Sequence, residues 1–405
     1  MAEVYALWAV VATFVYGYVL LSGRLKSTPF GGALFFVLCG IALGPSGLNW
    51  LRLAVTSGRL ETIAEFTLAL VLFSDAAGAN LRVLRRSTRL PIRLLGIGLP
   101  LTILVGGLCA ALLFPSFSLS EAAILGIVLA PTDAALGQPV VTNPRVPDRI
   151  REDLSVESGL NDGICVPFLL SFLAMATASS TTGISEGLNT FAVMFVQQIG
   201  ISTLVGGGLA LAAVGLRDGA ARAGWIADDW RPLLAVALPI VALCLAQLCG
   251  GSGFIACFVA GLVFGGFTPR EGGRDFVTVE AGGDLLSLIT WLTFGAYAIA
   301  IAITELSPAS IGYAVLSLTV VRMVPVALAT AGLGLDRATI AFVGWFGPRG
   351  LASIVFAVMV LDGNLPHGHR IVSTVLVTVL LSVVLHGLSA PGLVRLYGRR
   401  EAGRG

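Results

Sequence analysis

Four polar side chains lie close together in one apolar stretch of the chain, VESGLNDGICVPF. They are Glu157, Ser158, Asn161 and Asp162. Side chains four residues apart share a helix face, so Ser158 is paired with Asp162 and Glu157 with Asn161. An ionisable side chain inside a membrane-spanning helix is costly and marks a functional site by default. The stretch therefore predicts a site at which one helix face presents oxygen atoms and the adjacent face presents a carboxylate and an amide.

A second carboxylate, that of Asp133, follows Thr132 in the segment LAPTDAALGQP. Three residues make an intact helix unfavourable there: Pro131, Gly137 and Pro139. An interrupted helix frees backbone carbonyls to bind an ion. Carboxylates, hydroxyls and carbonyls together provide the all-oxygen environment that a small hard cation prefers. The predicted cation and proton ligands are Asp162, Asp133, Ser158 and Thr132.

Two arginines also lie in apolar segments. Arg322, in VVRMVP, needs an anionic partner, and we expect Glu157 to pair with it in a structural role. Arg349 lies in GWFGPRGLAS, where glycine and proline predict a second interrupted helix. Its charge would offset the negative end of a half-helix or bind a neighbouring carbonyl. Glu157, Arg322 and Arg349 are thus predicted to support the site.

Other acidic residues in apolar segments have simpler explanations. Glu121 and Asp336 are expected near a membrane interface, with their carboxylates extending into water. For Asp75 and Asp284, an interfacial position and a functional one fit the sequence equally well. Glu65 lies deeper in its segment than these residues.

The histidines and cysteines are expected to be structural or solvated. His386 should make a structural hydrogen bond near a helix end, whereas His367 and His369 fall in an outer loop and should be in water. The six cysteines lie in apolar runs without a CxxC motif, so we expect small core residues without disulfide bonds.

Composition identifies the surroundings of these residues. Of 405 residues, 56% are hydrophobic and only 12% are charged, against about 25% charged in soluble domains. The sequence therefore predicts an all-α polytopic membrane protein. Apolar runs of about 17–25 residues indicate spans, and roughly thirteen are predicted: 4–22, 28–46, 61–79, 93–115, 119–140, 152–178, 187–216, 232–249, 253–267, 282–304, 309–333, 337–361 and 370–393.

Basic residues orient the predicted spans. Most of the lysines and arginines fall in the loops after odd-numbered spans and at the C-terminus, which places the C-terminus in the cytoplasm and the N-terminus outside. The first apolar run lacks preceding basic residues and a cleavage site, so we expect no cleaved signal. The two interrupted spans, the fifth and twelfth, cross in opposite directions, which is typical of an inverted-repeat transporter.

Four segments together resemble a known family: TD in a broken span, ESGLNDGICVPF in the next, GPRG late in the chain and LLSVVLHGLSAP near its end. They are similar to the NhaP-like branch of sodium/proton antiporters, within the cation:proton antiporter superfamily. One departure is Ala134, where many members carry proline. The resemblance implies thirteen helices, a homodimer, and a six-helix core that moves against a scaffold. The implied division is 1–92 and 181–308 as scaffold, 93–180 and 309–393 as core, and 394–405 as a cytoplasmic tail.

The resemblance also implies roles for individual residues. Asp162 is expected to carry the ion and the proton, with Asp133, Thr132 and Ser158 as coordinating groups. Glu157 and Arg322 resemble the core ion pair of the family. Asn161 resembles the supporting asparagine of members that exchange one cation for one proton.

We therefore expect exchange of Na⁺ (or Li⁺) for H⁺ by alternating access at a site that holds either a proton or a cation. A K⁺/H⁺ antiporter of the same fold is the nearest alternative, and a cation channel is a more distant one. An intramembrane aspartyl protease would present GxGD and PAL motifs, which the chain lacks. The expected partners are the transported ions, the lipid bilayer of the plasma membrane and a second copy of the chain, with no enzyme activity, cofactor or nucleic acid.

Overall fold

The computed structural model describes residues 2–25, 32–45, 47–50, 57–78, 89–178, 184–227, 229–268 and 274–402. Fifteen helices lie within these residues. They are α1 (Ala2–Leu25), α2 (Gly32–Leu43), α3 (Ser57–Gly78), α4 (Arg89–Leu113), α5 (Leu119–Val128), α6 (Ala134–Val141), α7 (Asp148–Ala178), α8 (Ile184–Arg222), α9 (Pro232–Leu248), α10 (Gly253–Phe267), α11 (Arg274–Thr304), α12 (Pro308–Thr330), α13 (Arg337–Trp345), α14 (Leu351–Asp362) and α15 (Gly368–Ala402).

The helices follow the predicted spans closely, so the predicted all-α fold is confirmed. The fifth and twelfth spans are each divided in two, into α5 with α6 and α13 with α14. Five helices of the described part are long and apolar enough to cross a membrane by themselves. The largest difference is at the C-terminus, where α15 continues through Pro391 to Ala402, so most of the predicted tail is helical. The count of thirteen spans and the scaffold and core division stay predictions.

Helix starts are fixed by side-chain caps. Ser118 and Glu121 form a reciprocal capping box at the start of α5. Ser252, Ser307 and Asp336 each accept a backbone N–H in the first turn of α10, α12 and α13. Such caps satisfy N–H groups that have no partner within the helix. Each of these helices consequently begins at a defined residue.

The capping box corrects the expectation for Glu121. Its carboxylate is only 3% exposed and accepts the backbone N–H of Ser118 at 2.8 Å and that of His367 at 2.9 Å. The prediction that Glu121 extends into water is therefore wrong, because the cap turns the side chain back onto the protein. The prediction for His367 holds only in part, since its side chain is 31% exposed while its ring lies 3.1 Å from the same carboxylate. His369 is exposed, as expected.

The cysteines fall into three groups by exposure, with Cys39 and Cys109 of intermediate burial. All six are free, as predicted. Cys165 and Cys257 are buried, whereas Cys244 and Cys249 are exposed, so the prediction of core positions is wrong for these two. Large apolar side chains such as Leu112 (80% exposed) and Leu248 (83%) also cover the outside. An outer surface of this kind suits contact with lipid.

Glycines allow some helix pairs to approach closely. A Cβ on Gly261 or Gly265 of α10 would overlap the α3 backbone at Phe73 and Ala77. Only glycine avoids this overlap, because it has no Cβ. Asp75 lies between the two contacts, so the packing of α3 against α10 fixes the position from which its carboxylate reaches the site.

Candidate ion-binding site

Two interrupted helices meet at the centre of the site. The chain between α5 and α6 contacts the chain between α13 and α14. The backbone N–H of Asp133 donates to the carbonyl of Pro348 at 2.8 Å, and the hydroxyl of Ser353 donates to the carbonyl of Val128 at 2.7 Å. The predicted crossing of two broken spans is therefore present, with main-chain atoms forming much of the contact.

Asp133 joins the two half-helices that leave this crossing. One carboxylate oxygen accepts the N–H of Leu136 in α6 at 3.0 Å, and the other accepts the N–H of Leu351 in α14 at 2.7 Å. Each N-terminus carries partial positive charge, which a carboxylate stabilises. A Cβ on Gly350 would overlap the Asp133 carboxylate. Asp133 thus caps both α6 and α14. The expected role of Asp133 in cation binding did not include this capping.

Arg349 stabilises the C-terminal end of α5, opposite in charge to the helix N-termini that Asp133 caps. Its side chain is 0% exposed, and Nη1 donates to the carbonyl of Ala130 at 2.6 Å and to that of Pro131 at 3.1 Å. These carbonyls follow α5, where the helix dipole is negative. The predicted contact of Arg349 with a neighbouring carbonyl is confirmed. His386 makes a similar contact, with Nε2 2.9 Å from the carbonyl of Trp345 at the end of α13, so its expected structural hydrogen bond is confirmed.

The predicted ion pair is present between α7 and α12. Arg322 Nη1 and Nη2 donate to the two Glu157 oxygens at 2.6 and 2.9 Å. The side chains are 4% and 3% exposed. A bidentate pair of this kind neutralises both charges and fixes the relative position of the helices. A Cβ on Gly347 would overlap the Arg322 guanidinium, so the second break also shapes this pair.

Thr132, Ser158 and Asn161 form a small hydrogen-bond network beside the crossing. The Thr132 and Ser158 hydroxyls lie 2.9 Å apart, and the Asn161 amide donates to the Thr132 hydroxyl at 2.7 Å. The sequence predicted that these residues meet. Their hydroxyls are hydrogen bonded to each other, however, and the two hydroxyl residues are not in the wall of the adjacent cavity.

The cavity has a volume of about 710 Å³ and contains Asp162 and Asp133 in its wall. Asp162 is 7% exposed, and its Oδ1 has no hydrogen-bond partner. Its wall also includes the exposed Asp148 and Glu152 at the start of α7. Among the described residues no three His, Cys, Asp or Glu side chains converge as a metal-binding group. A cation here would consequently need hydroxyl and carbonyl oxygens besides carboxylates.

Three further acidic residues line the cavity: Asp75 of α3 and Glu280 and Asp284 of α11. Asp75 lies next to α7, because a Cβ on Gly159 of α7 would lie 3.3 Å from its carbonyl oxygen. For Asp75 and Asp284 the sequence left the choice open, and the structure places both at the cavity. The sequence feature that pointed to both residues was a carboxylate within an apolar run. Glu65, the deeper residue, is not in this wall.

The fold and site define a class of protein. Two interrupted helices, crossing beside a buried carboxylate in a polytopic chain, are the arrangement of secondary transporters. The family model described as "Sodium/hydrogen exchanger, transmembrane" matches residues 9–396. The chain belongs to that family.

Individual relatives agree with this assignment. The chain is 23% identical over 367 residues to the K⁺/H⁺ antiporter NhaP of Alkalimonas amylolytica, covering 89% of this chain and 62% of that protein. It is 24% identical over 375 residues to NhaP2, a K⁺/H⁺ antiporter of Shewanella baltica, with 90% and 62% covered. The chain thus spans less than two thirds of these relatives. The structure of the sodium proton antiporter MjNhaP1 of Methanocaldococcus jannaschii shares the fold, with a TM-score of 0.75, 20% identity, and 96% and 100% of the chains covered.

Proposed function

We propose that the chain exchanges Na⁺ or Li⁺ for H⁺ by alternating access at Asp162. One observation carries the proposal: Asp162 is 7% exposed, has an oxygen without a hydrogen-bond partner, and lies in the wall of an acidic cavity. An ionised carboxylate in this position needs a compensating positive charge. A bound proton or a bound cation supplies it, so the two compete for one site.

The proposed exchange is electroneutral. Both oxygens of Asp133 already accept backbone N–H groups, and a proton on either would remove a helix cap. Asn161 supplies an amide where a second acid would carry another proton. Asp162 is therefore the group on which one proton replaces one monovalent cation, with Asp75 adding negative charge from α3.

K⁺ is the second candidate cation, because the two NhaP relatives described above are K⁺/H⁺ antiporters. K⁺ binds the same oxygen groups as Na⁺ and differs in the cavity size that it needs. We propose that the cavity faces the cytoplasm, since basic loops lie on the side where α7 begins. A homodimer in the plasma membrane, with its N-terminus outside, belongs to the same proposal.

The test uses purified protein in liposomes that contain a pH-sensitive dye. Gradients of Na⁺, Li⁺ and K⁺ are imposed in turn, with and without a clamped membrane potential. We expect Na⁺ and Li⁺ to move protons with saturable kinetics that the potential does not alter. Faster proton movement with K⁺ would change the cation assignment, and flux that does not saturate would favour a channel.

Asp162→Asn should abolish exchange without loss of folded protein, because asparagine keeps the shape but cannot take up the transported proton. Asp229→Asn is the matched control, since Asp229 is exposed in the turn between α8 and α9. Exchange retained by the Asp162 variant would refute the assignment of this carboxylate.

A further inference from the structure

Helix α7 has two polar faces. One lines the cavity and includes Glu152, Ser155 and Asp162. The other carries residues spaced four apart, which therefore share a face: Arg149, Asp153, Glu157 and Asn161. Glu157 on this second face binds Arg322, and Asn161 binds Thr132. Asp153 has no part in the cavity or the crossing.

Asp153 is a buried carboxylate without a hydrogen bond. It is 0% exposed, and neither of its oxygens has a hydrogen-bond partner. The nearest cationic group is Arg149, whose Nε lies 3.9 Å from Oδ2 and whose side chain is 61% exposed. Its chain neighbours Ile150 and Leu154 belong to an apolar cluster with Leu90 and Val326.

The other charged groups near Asp153 do not supply the close partner that its carboxylate lacks. On its own helix they are those of Arg149, Glu152 and Glu157. The packed helices add Arg89 and Arg93 from α4 and Arg322 from α12, whereas α6 carries no charged residue. Helices α13 and α15 belong to the same apolar cluster and add Arg337, Arg395, Arg399, Arg400 and Glu401. Arg93 donates to the carbonyl of Ala331, and Arg322 is engaged by Glu157.

Burial therefore favours the neutral form of Asp153. An ionised carboxylate that loses water without gaining hydrogen bonds is strongly destabilised, whereas a protonated carboxyl carries no net charge. Loss of its proton would also place a second negative charge one helix turn from Glu157, where like charges repel. The state of Asp153 is thus linked to the ion pair that joins α7 to α12.

We propose that Asp153 is a proton-binding site separate from the ion cavity, which loses its proton as the pH rises towards neutral and whose ionisation weakens the Glu157–Arg322 contact. Its ligand is a proton that is not transported. The proposal does not depend on cation exchange, because both of its tests measure the protein without transport.

The first test compares thermal unfolding in detergent from pH ~5 to pH ~8 for the wild type, Asp153→Asn and the control Glu152→Gln. The folded state holds a proton that the unfolded state releases, so wild-type stability should fall as pH rises. The Asp153 variant should lose this part of the slope, and the control should keep it. Equal slopes in all three proteins would overturn the proposal.

The second test is infrared spectroscopy at pH ~5, within the range of the first test. A protonated carboxyl gives a C=O stretch that an ionised carboxylate lacks. We expect this band to decrease in Asp153→Asn and to be unchanged in Glu152→Gln. An unchanged band in the Asp153 variant would overturn the proposal. Asp153→Leu guards against a folding defect: a neutral carboxyl without hydrogen bonds should be replaceable by a neutral or apolar side chain, so low folded yield of both Asp153 variants would also overturn the proposal.

Discussion

The buried pair of Glu157 and Arg322 offers the sharpest test of how the core is held together. Arg322→Met leaves the Glu157 carboxylate buried at 3% exposure without its bidentate partner. Stranding one member of such a pair costs about 3–5 kcal/mol. Unfolding entropy is roughly 2.1 cal/mol/K per residue, so for 405 residues this loss lowers Tm by ~4–6 °C.

The double variant Glu157→Leu with Arg322→Met removes both charges together. Because an apolar replacement of a whole buried pair is often neutral or stabilising, most of the lost Tm should return. The control is Arg370→Met, whose pairing with Glu305 at 3.5 Å leaves the side chains 41% and 40% exposed and contributes ~0–1 kcal/mol.

The assay is thermal unfolding of purified protein in detergent, followed as the loss of monodisperse protein. A double variant whose Tm falls by the sum of the single losses would show that the two residues are not coupled. An Arg322 variant that loses no more than the Arg370 control would show that the pair is not structural.

Two further predictions concern other parts of the fold. Gly350→Ala should reduce exchange at least tenfold because its Cβ would displace the Asp133 carboxylate. The control is Gly137→Ala, which has open space around it and should leave exchange in liposomes near wild type. Equal activity of the two variants would contradict the capping of both α6 and α14 by Asp133. Glu121→Ala should lower stability by ~1–3 kcal/mol because the backbone N–H groups of Ser118 and His367 lose their acceptor, and His367→Ala should cost less; unfolding in detergent measures both. A Glu121 variant as stable as the wild type would show that these hydrogen bonds are dispensable.

The sequence predicted those parts of the site that depend on one helix or on an unavoidable pairing. Spacing of four residues placed Ser158 and Asp162 on one face, and proline with glycine marked both breaks. Arg322 was paired with Glu157 because a charge in an apolar span needs a partner, and the resemblance to the family implied the same pair.

Other features depend on which helices are neighbours, which spacing along one chain does not reveal. Asp75 reaches the cavity because α3 packs against the glycines of α10. Asp133 caps α14 as well as α6 because the second break lies against the first. The capping box was readable from Ser118 and Glu121, which lie three residues apart before an apolar run, whereas the contact of Glu121 with His367 depends on the facing turn.

The crossing of the interrupted helices has a consequence for divergence within the family. Several of its contacts use main-chain groups, namely those of Val128, Ala130, Pro131, Pro348 and Leu351. Main-chain carbonyls are common to all residues, and N–H groups to all except proline, so side chains at these positions can change while the crossing persists. Side-chain replacement therefore underestimates the importance of such positions. An amide-to-ester change at Leu351, which removes only the N–H that Asp133 accepts, would reveal it.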